Sequence, residues 1–312
     1  MKTYDAVVVG GGPAGLTAAL YLVRAGVSVA LVEKAAPGGQ VLNTAEVENY
    51  PGFPRGIKGW ELADLFSAHL DEYQVERLRG EVSGLEPAAG GGAHRLLLAE
   101  GAEPVAARAV IICSGAHHRT LGAPGEERLT GRGVSYCAVC DGNFYRGRRV
   151  AVVGGGNSAL EEALYLSRIV SKVYLIHRRE GFRGSRVYLD KIAAMPARIE
   201  LVTSHVVEEI QGGEQLEGVL VRHVQTGVTR LISVEGLFVY VGLTPMNAWL
   251  PASLSLDEWG FVRTDAEMNT AIPGIFAAGD IRSKHCRQIS SAVGDGATAA
   301  TAALAYLEHF HA

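Results

Sequence analysis

No apolar stretch in this 312-residue chain approaches the roughly 18 residues that a membrane-spanning helix requires, which excludes an integral membrane protein built on helices. No run of lysine and arginine exceeds three residues, and the formal net charge is -4, so neither nucleic acid nor an acidic membrane surface is an expected partner. The N-terminus carries no long apolar segment ahead of the short strand core Ala6 to Val9. The expectation is therefore no signal peptide and a cytoplasmic location. Cysteine is scarce. Four in the whole chain cannot staple a disulfide scaffold, but two of them, Cys137 and Cys140, stand as a Cys-x-x-Cys, a spacing that in a reducing compartment points to redox chemistry or metal binding. Low complexity is confined to one loop tip, Ala88 to Ala93.

What is abundant is glycine, with 39 residues, beside a composition that is 48% hydrophobic and 20% charged. That balance fits an α/β protein of two ordinary-sized domains whose tight turns need residues without a Cβ. The segment Tyr4 to Lys34 reads as an apolar strand, the turn Gly10-Gly11-Gly12-Pro13-Ala14-Gly15, a helix to about Ala25 and a second strand, Val27 to Val32, closed by Glu33. This is a dinucleotide fingerprint. The glycines let a phosphate approach the backbone at a helix N-terminus, and Glu33 stands where a carboxylate accepts hydrogen bonds from a ribose diol.

Displaced by 144 residues, the unit returns: strand Val150 to Val153, turn Gly154-Gly155-Gly156-Asn157-Ser158-Ala159, a helix to about Ile169, and the strand Lys172 to Ile176. The position of Glu33 is now taken by His177, followed by Arg178 and Arg179. A carboxylate repels a 2′-phosphate and guanidinium groups bind one, so the second site is expected to take NADPH over NADH; the bland alternative is a solvated basic strand end. A third region has a turn at Ile272-Pro273-Gly274, a strand Ile275 to Ala278 and then Gly279-Asp280. Arg287-Gln288 follow, and then a small-residue stretch, Ala292 to Ala303, suited to a closely packed helix. Beside a nucleotide site already placed, Asp280 suggests a carboxylate reaching a flavin's ribityl chain. The expected architecture is α/β with two Rossmann-like three-layer domains, residues 116–243 being inserted into a discontinuous domain of 1–115 and 244–312.

The Cys137–Cys140 pair lies between the first unit and the second glycine turn. A zinc site needs two further ligands with spacing of their own, yet only Cys113 and Cys286 remain, each isolated. A structural bridge is out of place in a reducing compartment, whereas two nucleotide sites, one of them basic, complete a path for electrons into a disulfide. Asp141 is a candidate acid for a departing thiolate, with a turn or capping aspartate as the alternative. Cys113, in an apolar strand, reads as a core residue, and Cys286 as a packed residue near the flavin motif. The pair His117-His118 and His285 have no metal or triad spacing and read as polar surface or linker residues.

These motifs together resemble the low-molecular-weight thioredoxin reductases. Gly-Gly-Gly-Pro-Ala-Gly at 10–15, Pro-Gly-Gly-Gln at 37–40, Glu-Val-Glu-Asn-Tyr-Pro-Gly-Phe-Pro at 46–54 and Cys-Ala-Val-Cys-Asp at 137–141 occur in that family's order. So do Gly-Gly-Gly-Asn-Ser-Ala at 154–159, His-Arg-Arg-Glu-Gly-Phe-Arg at 177–183 and Arg-Gln at 287–288. The resemblance implies FAD and NADPH as cofactors, thioredoxin or a similar small dithiol protein as partner, and a homodimer. It implies that Cys140 faces the flavin, Cys137 attacks the partner disulfide, and Arg178, Arg179 and Arg183 hold the 2′-phosphate. It also adds Lys34, Gly39, Gln40, Asn49, Val82, Gly115 and Gly279 to the FAD site, and Gly154, Gly156, Asn157, Ser158 and His177 to the NADPH site. The sequence departs from the family pattern at Gly184, at Cys113-Ser114 and at Cys286. Two rivals stay open, a dithiol oxidase and a flavin-binding redox sensor; the reductase of an alkyl hydroperoxide system is not expected, because its extra N-terminal module has no room where the first nucleotide glycine is residue 10.

Overall fold

The computed structural model describes residues 1–44, 46–88 and 92–308, so residues 89–91 of the expected loop tip and the last four residues lie outside the described part. The chain divides into two compact units, one formed by residues 1–117 with 244–312 and the other by 118–243.

In the first unit, four parallel strands lie in the order Glu76–Arg79, Val29–Glu33, Lys2–Val9, Val105–Ile112. The last is long enough to have two neighbours on its far side. Ile275–Ala277 pairs in parallel with its C-terminal end, and the antiparallel strands His94–Leu98 and Val82–Glu86 extend from its N-terminal end. Runs such as Ala6-Val7-Val8-Val9 have no polar alternation because both faces of the sheet are covered. One face packs Val8, Leu31 and Ile111 against helices Pro13–Arg24 and Ile289–Glu308; the other packs Val7, Val32 and Val110 against Leu254, Val262 and Ile281.

The small-residue stretch in the last helix has a steric reason. A Cβ on Gly296 would lie 2.2 Å from the Ala14 carbonyl oxygen, so only glycine lets this helix cross directly over the first turn of helix Pro13–Arg24. The same turn is closed by Gly15, whose missing Cβ leaves room for the Gly10 carbonyl oxygen.

The second unit has a fully parallel sheet in the order Ile199–Thr203, Lys172–His177, Arg149–Gly154, Gly236–Tyr240, Val134–Ser135. Helices Asn157–Leu166 and Arg186–Ala193 cover one face, packing Leu160, Leu166 and Ile192 against Phe238 and its neighbours on the sheet. An antiparallel three-stranded sheet, His205–Gln211, Gly218–His223 and Thr229–Ile232, covers the other through Val219, Val221 and Ile232. Each unit is thus a three-layer Rossmann-like domain whose glycine turn leaves the C-terminal end of a central strand, the place where such sheets bind ligands.

Candidate functional site

The first glycine turn follows strand Lys2–Val9. Gly12 caps helix Pro13–Arg24 with no side chain bonded to the helix's first amides, and Pro13 occupies the first helical turn. Those amides are left for an acceptor that the helix does not supply. Glu33 is drawn across the turn: its Oε2 accepts the Gly11 amide at 2.6 Å and its Oε1 the Ala35 amide at 2.9 Å. The Gly38 amide donates to the Gly11 carbonyl at 2.7 Å, which brings Gly39 against Gly12, whose Cα would stand 3.1 Å from a Cβ there. Gly279 closes over the same turn, a Cβ on it meeting that of Ala14 at 2.9 Å. Asn49 and Gln288, 239 residues apart, share a hydrogen bond of 3.0 Å. Val82 is buried among Val9 and Val32, and Gly115 binds the Met246 amide through its carbonyl. Lys34 pairs with Glu81, and Gln40 is exposed.

Beside Gly279 lies a charged cluster that no motif announced. Asp295 binds Arg282 and Lys284 at 2.9 Å each and accepts the Gly279 amide at 3.0 Å. Lys284 also lies 3.7 Å from Asp280 Oδ1. Asp280 is half-buried, and desolvation raises its carboxyl from the ordinary aspartate value against the pull of Lys284 and Arg287. Arg287 stacks on Phe261 at 4.2 Å and donates to the Arg282 carbonyl. Asp280 Oδ1 and Arg287 Nε are both buried without a hydrogen-bond partner. An acceptor and a donor left unmet beside an uncapped glycine turn suit a ligand with hydroxyl groups and a polar ring, as FAD has. Cys113 lies buried under this turn, and burial pushes its thiol well up, which makes it inert. Cys286, expected to pack, is instead exposed, because its segment runs along the surface before helix Ile289–Glu308.

The second glycine turn follows strand Arg149–Gly154. Gly156 caps helix Asn157–Leu166, again without a side-chain cap, so the first-turn amides, Ser158 among them, have no acceptor from a capping side chain. The Asn157 side-chain Oδ1 accepts the Ser185 amide at 2.7 Å. Gly155 accepts the amides of Arg183 and Gly184, which folds the segment 178–184 back over the turn. His177 does not reach outward with the arginines: it is buried, its ring stacked on Phe182 at 4.9 Å and filling the space a Cβ on Gly155 would take. Burial, with Arg178, Arg179 and Arg183 nearby, lowers its basicity, and its Nε2 has no hydrogen-bond partner. The three arginines are exposed. Among the described residues none of the three is in an ion pair, so the cluster is open to an external anion.

The same unit carries the dithiol. Cys137 and Cys140 are joined as a disulfide with Cα atoms 5.3 Å apart, across the short helix Ala138–Asp141. The Cys140 amide donates to Cys137 Sγ at 3.2 Å, and the Asp141 amide to the Cys137 carbonyl at 3.0 Å. Ser135 Oγ lies 2.6 Å from Asp141 Oδ2, and the Ala138 amide donates to Tyr240 Oη at 2.6 Å. Tyr240 is held neutral by burial and by the nearby Glu162 carboxylate. Glu162 itself has a buried Oε2 without a partner, and burial, reinforced by Glu161, pushes it up to about 7.

That shift sets a pH dependence. Glu162 holds its proton in the folded chain above the pH at which the unfolded chain releases it, so its contribution to stability is present below about 4.5 and is lost as pH rises through about 7. Glu162→Gln should therefore raise the thermal midpoint at pH 8 by the equivalent of about 1 kcal/mol, after discounting for its partial exposure. The gain should shrink as pH falls toward 5; a gain independent of pH would show that charge is not the cause.

Known proteins resemble this chain over nearly its whole length. Residues 4–296 match the pyridine nucleotide-disulphide oxidoreductase family. A thioredoxin reductase of Listeria innocua is 44% identical over 98% of this chain and 95% of its own length. One of Helicobacter pylori is 41% identical over 98% and 99%. The crystal structure of thioredoxin reductase from Streptococcus pyogenes superposes with a TM-score of 0.93 at 44% identity, covering 99% of each chain. With two glycine turns, a dithiol and matches spanning nearly its whole length, this chain belongs to the pyridine nucleotide-disulphide oxidoreductases.

Proposed function

We propose that this protein is an NADPH-dependent thioredoxin-disulfide reductase. The observation that carries the proposal is the Cys137–Cys140 disulfide placed in the same unit as the open arginine cluster. FAD would be held by the turn 10–15, Glu33, Asp280, Arg287 and Gln288, and would supply the two-electron chemistry that links a nicotinamide hydride to a disulfide. NADPH is held at the second turn, 154–159, with its 2′-phosphate on Arg178, Arg179 and Arg183.

The rest of the work falls to the chain's own residues. When the Cys137–Cys140 bond receives an electron pair, the Cys140 amide stabilises charge on the Cys137 sulfur through the hydrogen bond it already makes. Cys137 is then the nucleophile toward the partner disulfide, and Asp141, adjoining Cys140, supplies and takes up the proton that exchange requires. The dithiol and the NADPH site lie in one unit and the FAD site in the other. Each must come to about 3–3.5 Å of the same ring, so the two cannot hold it at once. Rotation of residues 118–243 about the crossings at 117–118 and 243–244 resolves the conflict. A cross-link locking the two units should permit one half-reaction but stop sustained turnover; full activity in a verified locked protein refutes the rotation. The protein is further read as a cytoplasmic homodimer, as its similarity to thioredoxin reductases implies; separately, among the described residues no helix is long and apolar enough to cross a membrane.

The test of the activity is NADPH consumption with and without oxidised thioredoxin. Consumption that depends on thioredoxin is expected. Consumption that is unchanged by it points instead to a dithiol oxidase.

A further inference from the structure

We propose that Ser135 positions Asp141 and sets its proton affinity during dithiol exchange. The inference rests on the reading of Asp141 as the acid of the exchange. Ser135 ends the strand Val134–Ser135, is 5% exposed, and is fixed by three contacts to the redox loop. Its Oγ accepts the Cys137 amide at 3.1 Å, lies 3.3 Å from the Cys137 carbonyl oxygen and 2.6 Å from Asp141 Oδ2. A hydroxyl has one proton to donate. The 2.6 Å contact has the length of a hydrogen bond from a hydroxyl to an ionised carboxylate, so the proton goes to Asp141 and the backbone of Cys137 donates in turn to Ser135. One side chain thus joins the nucleophile's backbone to the acid's carboxylate.

The exchange shows why this matters. The Cys137 thiolate attacks the partner disulfide, and the first departing sulfur takes a proton from Asp141. The Cys140 thiol then gives its proton back to Asp141 and attacks Cys137, re-forming the Cys137–Cys140 bond. The second departing sulfur takes a proton from solvent, so two electrons and two protons end on the partner. A donor that bonds the ionised carboxylate favours that form and makes Asp141 the stronger acid. Groups from three further elements lie around this carboxylate. Tyr145, from the turn Gly142–Tyr145, is held neutral, pushed up to about 12 by burial and by Asp141 itself. Tyr240, from strand Gly236–Tyr240, is also neutral and is bonded to Ala138. Glu162, from helix Asn157–Leu166, lies near Tyr240 and adds negative charge.

The test is a single-turnover measurement in which holoenzyme already reduced at the dithiol is mixed with oxidised thioredoxin between pH 5 and 9. The rate should fall on the alkaline side as Asp141 loses its proton. Ser135→Ala should move the midpoint of that fall upward by about one pH unit. Ser135→Thr, which keeps the hydroxyl, should restore the original midpoint. A slower rate with an unmoved midpoint in Ser135→Ala, or the same displacement in both variants, overturns the proposal by showing a merely structural role. Asp141→Asn separates the two layers of the argument: if the alkaline fall survives in that variant, the reading of Asp141 as the acid fails, and the role of Ser135 fails with it.

Discussion

A Cys140→Ser protein is expected to lose NADPH-driven reduction of thioredoxin by at least about a thousandfold, because covalent exchange cannot complete without the second sulfur. It should also accumulate a stable mixed disulfide between Cys137 and its partner. The local geometry supports this division of labour. Cys137 begins the helix Ala138–Asp141 and its sulfur accepts the Cys140 amide, a bond the serine substitution leaves in place. The remaining sulfur therefore keeps the hydrogen bond that favours its thiolate and stays a competent nucleophile. With no second sulfur to resolve it, the adduct persists. Cys137→Ser should be equally inactive in turnover but form no such adduct. Non-reducing electrophoresis followed by peptide mapping distinguishes the two, and an adduct formed only by Cys137→Ser reverses the assignment.

Replacing Arg178 and Arg179 together with neutral residues should weaken NADPH by about 2–4 kcal/mol, some 30- to 1,000-fold, and barely change the binding of NADH. Two charge-assisted contacts at about 1.5–3 kcal/mol each set the upper end, and water replacing them reduces it. The arginines suit this role because they are exposed and outside any ion pair among the described residues, so binding an anion breaks no existing contact. The fold of the segment 178–184 does not depend on them: it is held by the Arg183 and Gly184 amides on the Gly155 carbonyl and by the His177 ring on Phe182. A selective loss of NADPH is therefore expected without unfolding. Equal losses for the two cofactors would show that the substitutions damaged the site as a whole.

The repeated strand, turn and helix were legible in the sequence because uninterrupted apolar strands and glycine turns are dictated locally. Strand Arg149–Gly154 and helix Asn157–Leu166 follow directly from Val150 to Val153 and from Gly154-Gly155-Gly156. The tight packing of the last helix was legible from its small residues, although its target, the Ala14 carbonyl, was not. What escaped were partners brought together only by the fold. Tyr240 meets the Ala138 amide from 102 residues away, and Asp295, inside helix Ile289–Glu308, reaches back to Arg282 and Lys284 in the loop before it. Ser135 is only two residues from Cys137, yet its value lies in a hydrogen bond to Asp141 across the turn, and no periodicity reports that. His177 is the opposite case: it stands in register with Glu33, yet its imidazole is buried in the space beside Gly155, while the arginines that follow are exposed, and a repeat in the sequence reports no such difference in burial.

The measurement that tests the central claim most directly is a thiol count under anaerobic conditions. Oxidised thioredoxin in excess is mixed with the FAD-loaded protein and a limiting amount of NADPH, and free thiols on thioredoxin are counted once the NADPH is spent. Two new thioredoxin thiols for each NADPH consumed are expected, falling to none with Cys137→Ser. NADPH consumed by the unaltered protein without the appearance of thioredoxin thiols would contradict the path from NADPH through Cys137 and Cys140 to thioredoxin.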